Sequence, residues 1–131
     1  MKDLKINDLS GVIVDRAIKI RQALGHGLLE SVYQRIPVYE LRKAGLSVAT
    51  EVPIPVEWDG NVIDESFRAD LIVNDNILVE LKSLETLQSV HKKQVLTYLK
   101  LSKIQLGLLI NFGAPLLKDG IHRIANQLPE E

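Results

Sequence analysis

Two short apolar segments, separated by three turn residues, carry charges where a folded chain can least accommodate them. They are Phe67-Arg68-Ala69-Asp70-Leu71-Ile72-Val73 and Ile77-Leu78-Val79-Glu80-Leu81-Lys82-Ser83, and Asn74-Asp75-Asn76 between them is turn chemistry. Both segments read as strands lying side by side. Alternate side chains of a strand share a face, so Glu80 and Lys82 point the same way as Leu78, while Ile77, Val79 and Leu81 form a wholly apolar opposite face. An ionised group left unpaired in such surroundings costs on the order of several kcal/mol or shifts its pKa until it is neutral. A carboxylate on each of two adjacent strands, with a lysine two residues past the second, makes a compact acidic pocket beside a cation. That arrangement suits a hard divalent metal; it equally suits a solvated strand face carrying one ion pair.

The rest of the chain supplies the frame for these strands. Leu9, Val12, Ile13, Ala17, Ile20 and Leu24 recur with a helical rhythm over about Asn7–Leu24, with Asn7, Asp8 and Ser10 as candidate caps. Gly25-His26-Gly27 breaks that helix, and a second pattern runs from Leu28 to about Ala44, closed by Gly45. Pro37 inside it predicts a kink or a restart. Ser47–Trp58 is β-like, with Pro53 and Pro55 placing it at a sheet edge, and Asp59-Gly60 is a hairpin signal leading into a return strand from Asn61. A third helix is predicted over about Ser89–Leu101, a buried strand over Gln105–Phe112, and one more strand around Ile121–Ala125. The order predicts a mixed sheet with helices packed on it, an α/β fold in a single domain over residues 1–131.

Composition narrows the function classes. No apolar run approaches the roughly 20 residues of a membrane span, and Met1-Lys2-Asp3-Leu4-Lys5 does not read as a signal peptide. With no cysteine there is no disulfide framework and no thiolate site, which fits a cytoplasmic location. A formal net charge of −1 means that nucleic-acid binding would need a local basic patch. The third helix offers one in Lys92, Lys93, Lys100 and Lys103.

Three further polar positions can be tied to the charged strands. Glu30 stands in the first turn of the second helix, where the helix dipole alone favours a carboxylate. Gln94 and Tyr98 lie four apart on one face of the third helix, joined by His91, and that stripe also fits a polar helix surface. Hydrolysis of a phosphodiester needs carboxylates to hold a metal ion and a cation to stabilise the transition state. Asp70 and Glu80 are the candidate ligands, the backbone carbonyl of Leu81 a third, and Lys82 the cation. There is no Gly-rich phosphate loop and no convincing Ser-His-Asp arrangement.

Asp70, nine intervening residues, then Glu80-Leu81-Lys82 resembles the signature of the PD-(D/E)XK nuclease superfamily, with Ala69 in place of the proline. More narrowly, Gly27-Leu28-Leu29-Glu30-Ser31-Val32-Tyr33 resembles the pattern that names the GxxExxY protein family. The similarity extends from Ile13 to about Asn126 and takes in Tyr39-Glu40-Leu41-Arg42, Gln94-Val95-Leu96-Thr97-Tyr98-Leu99 and Leu109-Ile110-Asn111-Phe112. It implies the restriction-endonuclease-like fold, a central mixed sheet of four main strands flanked by helices. It also implies that Glu30 is the helix-borne acid of the site and a further metal-site carboxylate, that Asp70 and Glu80 bind the metal, that Lys82 is catalytic and that Gln94 supports them. The implied activity is Mg²⁺-dependent cleavage of DNA, with Mn²⁺ as a substitute ion. The implied partners are nucleic acid, and a second copy or another protein that supplies specificity. The rival reading is a nuclease-fold module that binds nucleic acid or a protein without turnover.

Overall fold

The computed structural model describes residues 4–129. The expectation for Met1–Lys5 falls partly outside those residues.

The first helical rhythm becomes α1 (Ile6–Leu24), which buries Leu9, Ile13, Ala17 and Ile20 along one face. The second becomes α2 (Glu30–Lys43), burying Tyr33, Pro37 and Leu41. The expected restart at Pro37 does not occur. The missing N–H removes one helical hydrogen bond, and packing of the buried ring against the core offsets it. Tyr33 fixes the entry to α2. Its ring stacks on Phe112 with centroids 4.5 Å apart, its hydroxyl donates to the Gly25 carbonyl, and the Leu28 N–H donates to it at 3.4 Å.

Five strands form the main sheet: β1 (Val48–Pro53), then, after a separate hairpin of β2 (Val56–Trp58) and β3 (Asn61–Asp64), β4 (Arg68–Val73), β5 (Ile77–Lys82), β6 (Leu106–Asn111) and β7 (Ile121–Ala125). Spatial order is β1-β4-β5-β6-β7, with β5 and β6 parallel and the other pairs antiparallel. The parallel step is bridged by α3 (Ser89–Ser102), and a short α4 (Leu117–Gly120), not expected from the sequence, leads into β7. β1 lies at an edge, as Pro53 and Pro55 predict. The strand expected to run unbroken from Ser47 to Trp58 is interrupted at Ile54-Pro55, where Ile54 turns into the core and Pro55 has no N–H to pair. The return strand is interrupted too, because the Asp64 carboxylate accepts from both the N–H and the hydroxyl of Ser66 (2.7 and 2.6 Å) and closes a local turn.

Each face of the sheet has its own core. Leu71, Val73, Ile77, Val79 and Leu81 pack with α1 and α2. Ile72, Leu78 and Leu109 pack with Val95, Tyr98 and Leu99 of α3. Gly107 allows α3 to come close: a Cβ there would meet Val95 Cγ1 at 2.8 Å. The arrangement of helices on both faces of a mixed sheet is restriction-endonuclease-like, with five strands where four main ones were expected. Among the described residues no helix is long and apolar enough to cross a membrane.

The end of β5 is fixed by Asn111, buried at the end of β6. Its Oδ1 accepts from the N–H groups of Leu84 (2.8 Å) and Gly113 (3.1 Å), and its Nδ2 donates to the Leu84 carbonyl (2.8 Å). Asn111→Ala leaves these buried backbone groups unpaired. We expect a loss of about 2–4 kcal/mol in urea unfolding, from roughly 1–3 kcal/mol for each orphaned group with partial relaxation. Asn111→Asp keeps the acceptor but sets a second carboxylate oxygen against the Leu84 carbonyl, so it should be destabilised at neutral pH and recover in part as acid protonates it.

Candidate active site

Asp70 and Glu80 meet because the sheet opens where they stand. The β4–β5 ladder runs Val73↔Ile77, Ile72↔Leu78 and Leu71↔Val79, and there it stops. One step further, the Asp70 N–H donates to Glu80 Oε1 (3.0 Å) and the Leu81 N–H donates to Asp70 Oδ2 (2.8 Å). Each carboxylate is thus held by the backbone of the opposite strand, and the two acids are locked beside each other.

A change of face on β4 aims Asp70. Ala69 belongs to the core under α3, yet Leu71, two residues on, belongs to the core under α1 and α2. In a regular strand the two would share a face. The switch falls at Asp70, opposite Glu51, where the β1–β4 pairing passes from Thr50↔Leu71 to Val52↔Ala69. Glu51 takes a left-handed φ of 49°, a conformation that costs a non-glycine residue about 1–3 kcal/mol. Asp70 is thereby turned toward α2, and Gln34 Nε2 donates to its Oδ1 at 3.3 Å.

The electrostatics are those of a crowded acidic pair. Glu80 is 6% exposed. Burial first, and the neighbouring Asp70 carboxylate second, push its pKa up to about 8, against the opposing pull of Lys82. Tyr98, packed beneath, has its hydroxyl pKa raised by burial and then by Glu80, with a smaller contribution from Asp70. Its hydroxyl accepts a hydrogen bond from Gln94 Nε2 at 2.9 Å. Lys82 Nζ lies 3.9 Å from Glu30 Oε1, with side chains 23% and 40% exposed, so this end of the site is open to water.

The structure therefore brings Asp70, Glu80 and Leu81 into direct contact and sets Lys82 and Glu30 together beside them. Gln94 reaches the group only through Tyr98. Glu30 is not drawn in against the pair: among the described residues, no three His, Cys, Asp or Glu side chains gather at metal-binding spacing. His91 is taken up elsewhere, its Nδ1 accepting from the Gln88 N–H to cap α3.

A family model described as the PD-(D/E)XK nuclease superfamily matches residues 7–124. The chain belongs to the PD-(D/E)XK nuclease superfamily. No curated protein and no solved structure matches it. Within the superfamily's name, Glu80-Leu81-Lys82 spells the (D/E)XK element and Ala69-Asp70 stands where PD is written.

Gln34 escaped sequence reasoning. Its signal was its place four residues after Glu30, hence on the same helical face. The face change at Asp70 had no sequence signal, since neither Glu51 nor Ala69 is a residue type that marks a break.

The donor set fits a divalent metal ion. Glu80, buried and held beside the Asp70 carboxylate, is disfavoured as an anion, which is the condition that a dication relieves. Two protein carboxylates with waters completing the shell is also how Mg²⁺ is usually held.

Proposed function

We propose that this protein is a Mg²⁺-dependent nuclease that hydrolyses DNA phosphodiester bonds, with Asp70, Glu80 and the Leu81 carbonyl holding the ion and Lys82 as the catalytic cation. The observation that carries the reading is the reciprocal hold of Asp70 and Glu80 at the open end of the β4–β5 ladder, beside a partly exposed lysine. When bound, the ion would supply activation of the attacking water and neutralise charge on the phosphate oxygens. Lys82 presents a compact positive charge to the scissile phosphate and orients the water. Glu30 attracts the Lys82 ammonium across 3.9 Å and so helps to place it. Gln34 keeps Asp70 aimed. Tyr98, oriented by Gln94, closes the buried side of the pair against water.

Membership of the GxxExxY family within the superfamily belongs to this proposal, and so does the reading of residues 1–131 as one nuclease domain. Tyr33 and Glu30 of that pattern support it, the first by anchoring the start of α2 and the second by meeting Lys82. A specific DNA interface buries on the order of 1,000 Å² or more of protein surface. A chain of this size reaches that most readily as a homodimer or with a specificity-giving partner.

The test is a panel of plasmid, single-stranded and branched DNA and RNA, incubated with and without Mg²⁺ or Mn²⁺. Metal-dependent cleavage that disappears in Glu80→Ala supports the enzyme. Binding without cleavage of any substrate, unchanged by metal, supports a silent module instead.

A further inference from the structure

Resting on the nuclease reading, we propose that the groove between α2 and β1 is the path of the unpaired substrate strand: single-stranded nucleic acid lies along it, stacks on Tyr39 and delivers its scissile phosphate at Asp70. The groove has a volume of about 920 Å³ and runs from the C-terminal half of α2 to Asp70. One wall is helical, and Arg35, Tyr39 and Arg42 recur on it at three- and four-residue spacing, which puts them on one face. The opposite wall comes from Thr50 and Glu51 of β1, with Asp70 and Leu71 of β4 at the end. Glu80 and Lys82 do not line it, so the groove approaches the acidic pair from the Asp70 side alone.

Three properties single out an unpaired strand. The helical wall carries three cations, Arg35, Arg42 and Lys43, complementary to a phosphate backbone and close to the site. Tyr39 is 65% exposed, far more than a large aromatic gains from by packing, and Lys43 Nζ sits 6.0 Å from its ring centre. An exposed ring among cations is a stacking platform for bases, which a duplex does not offer because its bases are already stacked. The volume is at the upper end of the roughly 300–1,000 Å³ of small-ligand pockets, room for a short run of nucleotides and far too little for a double helix. The carboxylate of Glu51 is the one feature of the β1 wall that opposes a polyanion.

The basic flank of α3 does not serve this path. Lys92 and Lys93 border a different cavity, with His122 and the loop before α3, on the β7 side of the sheet.

The experiment measures fluorescence anisotropy of labelled single-stranded DNA, single-stranded RNA and blunt duplex DNA of equal length, in EDTA, followed by cleavage of the same oligonucleotides in Mg²⁺. The wild type should bind both single strands more tightly than the duplex. Tyr39→Ala should weaken single-strand binding about 5- to 100-fold, the range of lost base–aromatic stacking, and Tyr39→Phe should restore it. Arg35→Ala should lower the slope of log affinity against log salt by about one, while the double variant Lys92→Ala, Lys93→Ala should bind as the wild type does. Single-strand affinity unchanged in Tyr39→Ala, or duplex preferred over single strand, overturns the proposal. The two readings fail separately. Metal-dependent cleavage with no effect of Tyr39→Ala on binding or rate leaves the nuclease and removes the groove. Tyr39-dependent binding with no cleavage in metal leaves the groove as a binding site and removes the nuclease.

Discussion

Lys82→Ala is expected to lower the single-turnover cleavage rate by about 10²–10³-fold, the usual loss when one preorganised electrostatic donor is removed from a transition state. Lys82 is suited to that role because its ammonium stands at the water-exposed end of the acidic pair, 3.9 Å from Glu30. The same exposure makes the variant safe to interpret. An ion pair so open to solvent contributes at most about 1 kcal/mol, so the fold should survive and Mg²⁺ should still bind. Lys82→Arg should not restore the rate, since a planar fork cannot replace a compact charge in that position. Glu80→Ala should abolish cleavage below detection, because it removes a proposed metal ligand as well as the acceptor for the Asp70 N–H. Glu30→Gln tests the link between helix and strand: a fall in rate without a fall in metal affinity fits a residue that positions Lys82. Equal metal-dependent rates for wild type and Lys82→Ala would remove the lysine from the mechanism.

The second large effect concerns stability and pH. The Glu80 carboxyl titrates near 8 in the folded protein, raised by burial and by Asp70, against an ordinary value of 4.5. Below about pH 4.5 the group is protonated in both folded and unfolded chains and imposes no penalty. Between 4.5 and 8 the folded chain keeps a proton that the unfolded chain has lost, so stability falls as pH rises. Above 8 the penalty is complete. Glu80→Gln keeps an oxygen acceptor for the Asp70 N–H and cannot ionise. The metal-free variant should therefore match the wild type near pH 4.5 and exceed it above pH 8 by a few kcal/mol, or roughly 5–15 °C in melting temperature. Added Mg²⁺ should recover the lost stability in the wild type alone, and below about pH 8 its binding should release the Glu80 proton. Parallel melting curves for the two proteins across pH 5–9 would show that Glu80 is not held as a high-pKa acid.

How much of this was legible in the sequence follows from where the signals are local. The strand pair, its turn and the charges on it were readable because Asp70, Glu80 and Lys82 are few in an apolar stretch, and charge in such a stretch needs a reason. Helix rhythm placed α1, α2 and α3 to within a few residues. What was not readable depended on contacts distant along the chain. The break at Ile54-Pro55 depends on Ile54 turning into a core that only the folded sheet defines, whereas the break at Glu65-Ser66-Phe67 comes from the local Asp64–Ser66 turn. Pro37 marked a kink or a restart; the helix does not restart, since tertiary packing of the buried ring outweighs the lost hydrogen bond. The rotation of β4 at Asp70, the strained Glu51 opposite it and the contact from Gln34 all arise from one irregular step in β-pairing, and no residue type along that step announces it. Lys92, Lys93, Lys100 and Lys103 drew attention as a basic flank, whereas Arg35, Arg42 and Lys43 of α2, which line the same groove as Asp70, gave no such signal.

The acidic pair as a divalent-ion site is the claim on which the rest depends, and Mn²⁺ tests it most directly. A crystal soaked in Mn²⁺ and measured at the manganese absorption edge should give an anomalous peak between the Asp70 and Glu80 carboxylates, and the peak should be lost in Glu80→Gln. No peak at that position at millimolar Mn²⁺, or one that persists undiminished in Glu80→Gln, would contradict the account.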